Sequence, residues 1–499
     1  MAKFHCLVYI LMMVLIGYVT GEDGPIVTIP QGSVQGAFRT SYGGREYTAF
    51  EGIPYGKPPI DDLRFAEPQP AEKWHGVLIA NHTYRCMCFV AIPFMYGIKG
   101  TEDCLYMYVY VPLKEIHGNE SLDVIVHIHG GAFMIGSPLD MAGPVYIMDK
   151  DVVFVSFNYR LAILGFLSTE DDIVPGNNGL KDQVLALQWI RDNIEYFGGN
   201  PESVTITGLS AGGASVHLHY MSPLSKAIWV TSNVRDEGIY PTAFFVATDK
   251  LAEMDSRWNE LMPFMLDIQD TVDEELKKDV VTKVRKHYLD DEPVSEDNEY
   301  ALVRMFSDRH FFIDGEKAAR LHANVSNSSV YYYFFTYVLQ QPFIVPGFRK
   351  GVSHCDDGRL LFKMFGTPKR LEADDEKMVQ LFTEFITSYA KTNNQVRSSI
   401  TKWDSFSTKW PSLWLCSASA TVSESMDWKE GFHRFKILDI KPRFGDIEWL
   451  PIDPTSKLMN VLRINRPDDI SMEEFEKIGA KDLWDSFLIK ENDKITNLL

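Results

Sequence analysis

Apolar and polar positions change rhythm along the 499-residue chain, and each change predicts an element. Leu7 to Val19 is a short, almost unbroken apolar run behind Lys3, and Val19-Thr20-Gly21 follows it with small or β-branched residues. That is the pattern of an export leader over residues 1–21, and it is too short for a comfortable membrane span. Up to about residue 115 the pattern is strand-rich and punctuated by turn residues such as Gly43-Gly44 and Pro58-Pro59. Val124 to Ile128 and Val152 to Phe157 are then short apolar runs, and Val204 to Thr207 is a β-branched one. Between the last two, Leu180, Val184, Leu187, Ile190 and Ile194 recur at helical spacing, and Ala211 to Met221 reads as a second helix. Alternating apolar strands and amphipathic helices predict an α/β protein, a mostly parallel sheet with helices on both faces. Residues 251 to 320 read as charged and helical, and with no repeat or linker the mature chain reads as one large domain, 22–499.

Composition narrows the function. Asp plus Glu number 68 against 49 Lys plus Arg, a formal charge of −19. Phosphate backbones and anionic lipid select cationic faces, so nucleic-acid binding and membrane docking are disfavoured. An exported chain meets oxidising conditions and glycosylation. Beyond Cys6, the five cysteines Cys86, Cys88, Cys104, Cys355 and Cys416 are odd in number, so at least one thiol stays free or pairs between chains. Asn81, Asn119, Asn324 and Asn327 begin glycosylation sequons.

The chemistry centres on Gly208-Leu209-Ser210-Ala211-Gly212, a G-x-S-x-G pattern between a strand and a helix. In that setting a tight turn lifts a serine hydroxyl above a sheet. His129-Gly130-Gly131-Ala132 follows the strand at 124–128, as an oxyanion loop does, with the Gly130, Gly131 and Ala211 amides as donors. His127 and His129 share a strand face in a His-x-His spacing, but without a third ligand they read as structural rather than metal-binding. Among 13 histidines, His354 suits the general base, because it lies late, in Gly351-Val352-Ser353-His354. Chain order Ser, acid, His then demands a carboxylate between them. Asp236-Glu237-Gly238, after the apolar stretch at 227–231, is the best-placed turn, although composition alone cannot choose it among the acids that follow.

These motifs together resemble the type-B carboxylesterases, the family of cholinesterases and of insect juvenile-hormone and general esterases. The resemblance rests on Phe50-Glu51-Gly52-Ile53-Pro54-Tyr55, Leu63-Arg64-Phe65, Glu102-Asp103-Cys104-Leu105-Tyr106 and His129 to Phe133. It continues through Asn158-Tyr159-Arg160, Gly176 to Gln183, Phe197 to Pro201, the Ser210 elbow, Asp236 to Tyr240 and Gly351 to His354, with HGGAFMIGSP and SDRHFF similar to the insect branch. It implies an α/β-hydrolase fold and a Ser210, Glu237, His354 triad. The implied reaction cleaves carboxylic esters, here small hydrophobic ones, through an acyl-enzyme, with no metal or organic cofactor. It further implies a disulfide from Cys86 or Cys88 to Cys104, Cys86 matching better, and a partly buried ion pair between Arg64 and Glu102.

Three departures stand beside the resemblance. Leu209 replaces the polar residue that usually precedes the nucleophile. Only 27 positions separate Ser210 from Glu237, where the family holds a longer segment with the next core strand. Residues near 397–445 match nothing in the family. A deletion near 226–228 with a later insertion predicts a sheet lacking one core strand, as in a splice variant or faulty gene model. Either Ala227 to Ser232 moves one strand closer to the nucleophile, or a gap opens in the sheet. The rival to a secreted esterase is therefore an impaired variant or a cholinesterase-like binding protein.

Overall fold

The computed structural model describes residues 23–92, 95–220, 227–325, 329–340, 351–364, 367–368, 370–392, 418–424 and 443–489. The export leader, Cys416 and Asn327 lie outside the described residues.

Thirteen strands of the described residues form one sheet. They are β1 Asp23–Ile29, β2 Gly32–Thr40, β3 Glu46–Pro54, β4 Val77–Ile79, β5 Tyr106–Val111, β6 Leu122–Ile128 and β7 Val153–Phe157. The others are β8 Gly199–Gly208, β9 Ala227–Val234, β10 Val330–Phe335, β11 Ala418–Glu424, β12 Met459–Arg466 and β13 Asp469–Phe475. Their order is β1-β2-β3-β5-β7-β6-β8-β11-β9-β10-β12-β13, with β4 beside β2. Strands β7, β6 and β8 run parallel to one another, as do β9, β10 and β12.

The central strands are apolar on both faces because both are covered. Along β6, Val124, Val126 and Ile128 enter one core with Ala186, Trp189 and Ile190 of the helix Asn178–Asn193 and Val216 of the helix Ala211–Tyr220. The intervening Ile125 enters a second core with Ile386 and Ala390 of the helix Ala373–Thr392. Alternate side chains of a strand point to opposite faces, so only a two-sided cover buries such a run. Helices over 251–307 build a further core of their own around Trp258, Met262, Val281 and Leu302. Among the described residues, no helix is long and apolar enough to cross a membrane.

The sheet adopts neither arrangement predicted for the shortened segment. Strand β9 stays two places from β8, and the place between them is occupied by β11, which comes from far later in the chain. β11 runs antiparallel to both neighbours: Ala420 to Glu424 face Gly208 to Val204 on one side and Thr231 to Ala227 on the other. The place beside β8 is thus filled by a segment distant in chain order. The physical demand is simple, because two open edges inside a covered sheet would strand buried amides and carbonyls.

The implied cross-links are present. Cys86 is bonded to Cys104, leaving Cys88 a buried thiol. Arg64 Nη2 lies 3.1 Å from Glu102 Oε1, with both side chains partly exposed. Fully buried Arg160 forks onto Asp182 at 2.8 and 2.7 Å and also donates to the Arg64 and Ala66 carbonyls. That pair anchors the chain after β7 to the helix Asn178–Asn193.

Candidate active site

Ser210 stands at the turn between β8 and the helix Ala211–Tyr220, with φ of 57°. A non-glycine residue in the left-handed region is costly and is held there by its surroundings. The surroundings are backbone. A Cβ on Gly212 would lie 1.9 Å from the Ile128 carbonyl oxygen, so only glycine lets the helix approach β6 this closely. A Cβ on Gly130 would lie 2.5 Å from the Leu209 carbonyl and 3.0 Å from the Ser210 Cβ. The glycine loop after β6 therefore lies against the serine turn.

That loop is tightly wound. Gly131 O accepts from the Met134 and Ile135 amides at 2.9 and 3.0 Å, and Ala132 and Phe133 are both left-handed. No group among the described residues accepts from the Gly130, Gly131 or Ala211 amides. His127 and His129 face different partners: His127 Nδ1 lies 2.8 Å from Thr207 Oγ1, and His129 Nδ1 lies 2.8 Å from Gly130 O. Burial pushes their imidazoles down to about 3 and about 4, so both are neutral.

Glu237 follows β9 and is fully buried. Its Oε1 accepts from the Val234 amide at 2.9 Å, and its Oε2 lies 2.6 Å from His354 Nδ1. Burial raises the carboxyl above its ordinary value, against the pull of His354. For His354, burial acts downward, but Cys355 and the Glu237 carboxylate outweigh it and hold the imidazole well above 6.5. The rings of Phe311 and Tyr240 stand 5.1 and 5.8 Å from His354, an aromatic wall beside the imidazole.

Leu209 joins the two halves. It is buried, and a Cβ on Gly358 would meet its Cδ2 at 2.9 Å, so the serine turn packs on the segment just after His354. The structure thus bonds Glu237 to His354, sets Ser210 against the Gly130–Gly131 loop and joins both through Leu209. His217 and His219 belong elsewhere: His217 Nε2 lies 2.6 Å from His322 Nε2, and His219 Nε2 lies 2.8 Å from Gln183 Oε1. Motif reasoning misses Gly358 and the β11 strand, which carry no motif of their own, and it gives Phe311, inside the SDRHFF stretch, no place in the site.

A strained serine turn after a central strand, with a carboxylate and a histidine joined across later loops, defines an α/β-hydrolase. Comparison with known proteins gives the family. The profile of the carboxylesterase family matches residues 23–230 and 226–428, and the chain belongs to that family. The two matched stretches overlap at 226–230, after the serine helix. A carboxylic ester hydrolase of Bombus ignitus is 29% identical over 596 residues, covering 97% of this chain and 98% of that protein. Because that alignment is longer than the 499-residue chain, the relative holds segments that this chain lacks. A juvenile hormone esterase of Tribolium castaneum is 49% identical over 210 residues, 41% of this chain and 35% of that protein. The fold resembles the crystal structure of juvenile hormone esterase from Manduca sexta with OTFP covalently attached. Its TM-score is 0.71 at 20% identity, covering 95% of this chain and 100% of that one.

Proposed function

We propose that this carboxylesterase-family chain is a secreted serine esterase whose mature part, residues 22–499, works as one domain. Ser210 attacks the ester carbonyl while His354 takes its proton. Glu237 orients the imidazole and stabilises its cation. The Gly130, Gly131 and Ala211 amides receive the oxyanion, and each such donor lowers the barrier by about 2.7–4 kcal/mol. His354 then passes its proton to the departing alcohol. Water, deprotonated by the same histidine, releases the acid from the acyl-enzyme. The observation that carries this reading is the buried 2.6 Å bond between Glu237 and His354, with Ser210 held at φ 57° beside amides that no acceptor among the described residues engages. The Phe311 and Tyr240 rings favour small hydrophobic esters. Export is supported by the leader pattern and by sequons whose Asn81, Asn119 and Asn324 are exposed.

The alternative, an impaired variant, draws on the shortened segment, and the presence of β11 between β8 and β9 favours the working enzyme. The test is Ser210→Ala in the secreted protein, with p-nitrophenyl butyrate as substrate. Hydrolysis is expected to vanish with the unfolding midpoint unchanged, and an organophosphate is expected to label Ser210 alone. A variant that keeps more than a tenth of the turnover would remove Ser210 from its role.

A further inference from the structure

Asp236 precedes Glu237 and is itself 2% exposed, yet the reaction gives it nothing to do. Its backbone amide donates to the Val352 carbonyl at 3.1 Å, and its Oδ2 accepts from the Val352 amide at 2.9 Å. Val352 is fully buried and lies two residues before His354. One residue therefore holds both polar groups of a single peptide position on the histidine loop, as a strand partner would, although no ladder exists there. The other lone pairs of the carboxylate are occupied. Arg235 Nε and Nη2 reach Oδ2 at 3.0 and 2.9 Å, and the Tyr300 hydroxyl donates to Oδ1. Burial, with Asp236 beside it, pushes the Tyr300 phenol up to about 12, so it remains a donor.

We propose that Asp236 is a positioning residue: it clips the histidine loop to the acid turn and so sets the distance between Glu237 and His354. The proposal rests on the triad reading above. The acid turn and the histidine loop are far apart in sequence, and among the hydrogen bonds that join them are the Glu237–His354 bond and the Asp236–Val352 pair. Glu237 also reaches back to Val234, so the acid turn is rigid in itself. Losing the clip frees the loop to drift while the acid stays in place. A drift near 1 Å lowers the rate about a hundredfold. Substrate binding against the aromatic wall is not expected to change by more than about threefold.

Two variants separate the clip from a merely buried charge. Asp236→Ala removes the acceptor of the Val352 amide. Asp236→Asn keeps an oxygen there and removes the charge that Arg235 faces. The expected result is kcat at least fiftyfold lower in Asp236→Ala with KM nearly unchanged, and kcat above a tenth of wild type in Asp236→Asn. Amide hydrogen exchange at Val352 reads the clip directly: protection is lost in the alanine variant and kept in the asparagine variant. Asp236→Ala at more than a fiftieth of wild-type kcat, Asp236→Asn at less than a tenth, or Val352 still protected in the alanine variant would overturn the proposal. If Asp236→Ala does not fold, the asparagine variant decides by its turnover and its Val352 protection. A wild-type chain without esterase activity would reject the triad reading, while the exchange result would still decide the clip.

Discussion

Proline at Val422 is the sharpest perturbation of this fold. Val422 lies at the middle of β11, opposite Ile206 of β8 and Trp229 of β9. Proline has no N–H and is excluded from central strands, so one neighbour loses a ladder bond. An unmet buried carbonyl costs about 1–3 kcal/mol, a large share of the 5–15 kcal/mol that typically holds a folded protein together. The geometric cost is larger. Strands lie about 4.8 Å apart, so β11 keeps β8 and β9 roughly 10 Å from each other. If β11 leaves and β9 closes on β8, Glu237 moves by about 4.8 Å relative to Ser210, far beyond the 1 Å that already lowers a rate about a hundredfold. Val422→Pro is therefore expected to lower p-nitrophenyl butyrate turnover by at least a hundredfold and to lower the urea midpoint of the secreted protein. Val422→Thr, which keeps the N–H, is the control and is expected to stay within a few-fold of wild type. Wild-type turnover and midpoint in Val422→Pro would refute the idea that β11 spans the gap between nucleophile and acid.

Other outcomes follow from the site. Glu237→Gln removes one of the two groups that raise His354, while Cys355 stays beside it and burial still acts downward. The acid limb of the kcat/KM profile is then expected to move to lower pH, with kcat lower by about a thousandfold or more; an unmoved limb would contradict the pairing. His127 and His129 stay neutral in the fold, with values near 3 and 4, but take up protons near 6.5 when unfolded. Their contribution is full above pH 6.5 and declines as the pH falls toward 4, by up to about 3 kcal/mol for each. Urea midpoints from pH 7.5 to 4.5 are expected to fall less steeply in His127→Gln, and an identical slope would show that this burial does not count. Cys104→Ser opens a loop of sequence separation 18 and is expected to lower stability by about 3 kcal/mol, readable from the same urea curves.

Local pattern was enough for the elements that carry their own signal. The apolar run at 124–128 and the β-branched run at 204–207 became β6 and β8, because a strand covered on both faces favours apolar and β-branched residues. The glycines around Ser210 announced a crowded turn, since only close backbone contact requires them. The order of serine, acid and histidine could be read once the motifs resembled a family. Tertiary structure decided the rest. Strand β11 carries no mark of its destination, because its place is set by the unpaired edges of β8 and β9, more than 180 residues earlier in the chain. Asp236 could not be told from the other acids of its region, because its role comes from meeting Val352, 116 positions away. Leu209, odd for the family by sequence, finds its partner only when Gly358 folds against it. Periodicity is a local property of the chain, whereas hydrogen-bond satisfaction inside a covered sheet is settled by whatever segment reaches the vacancy.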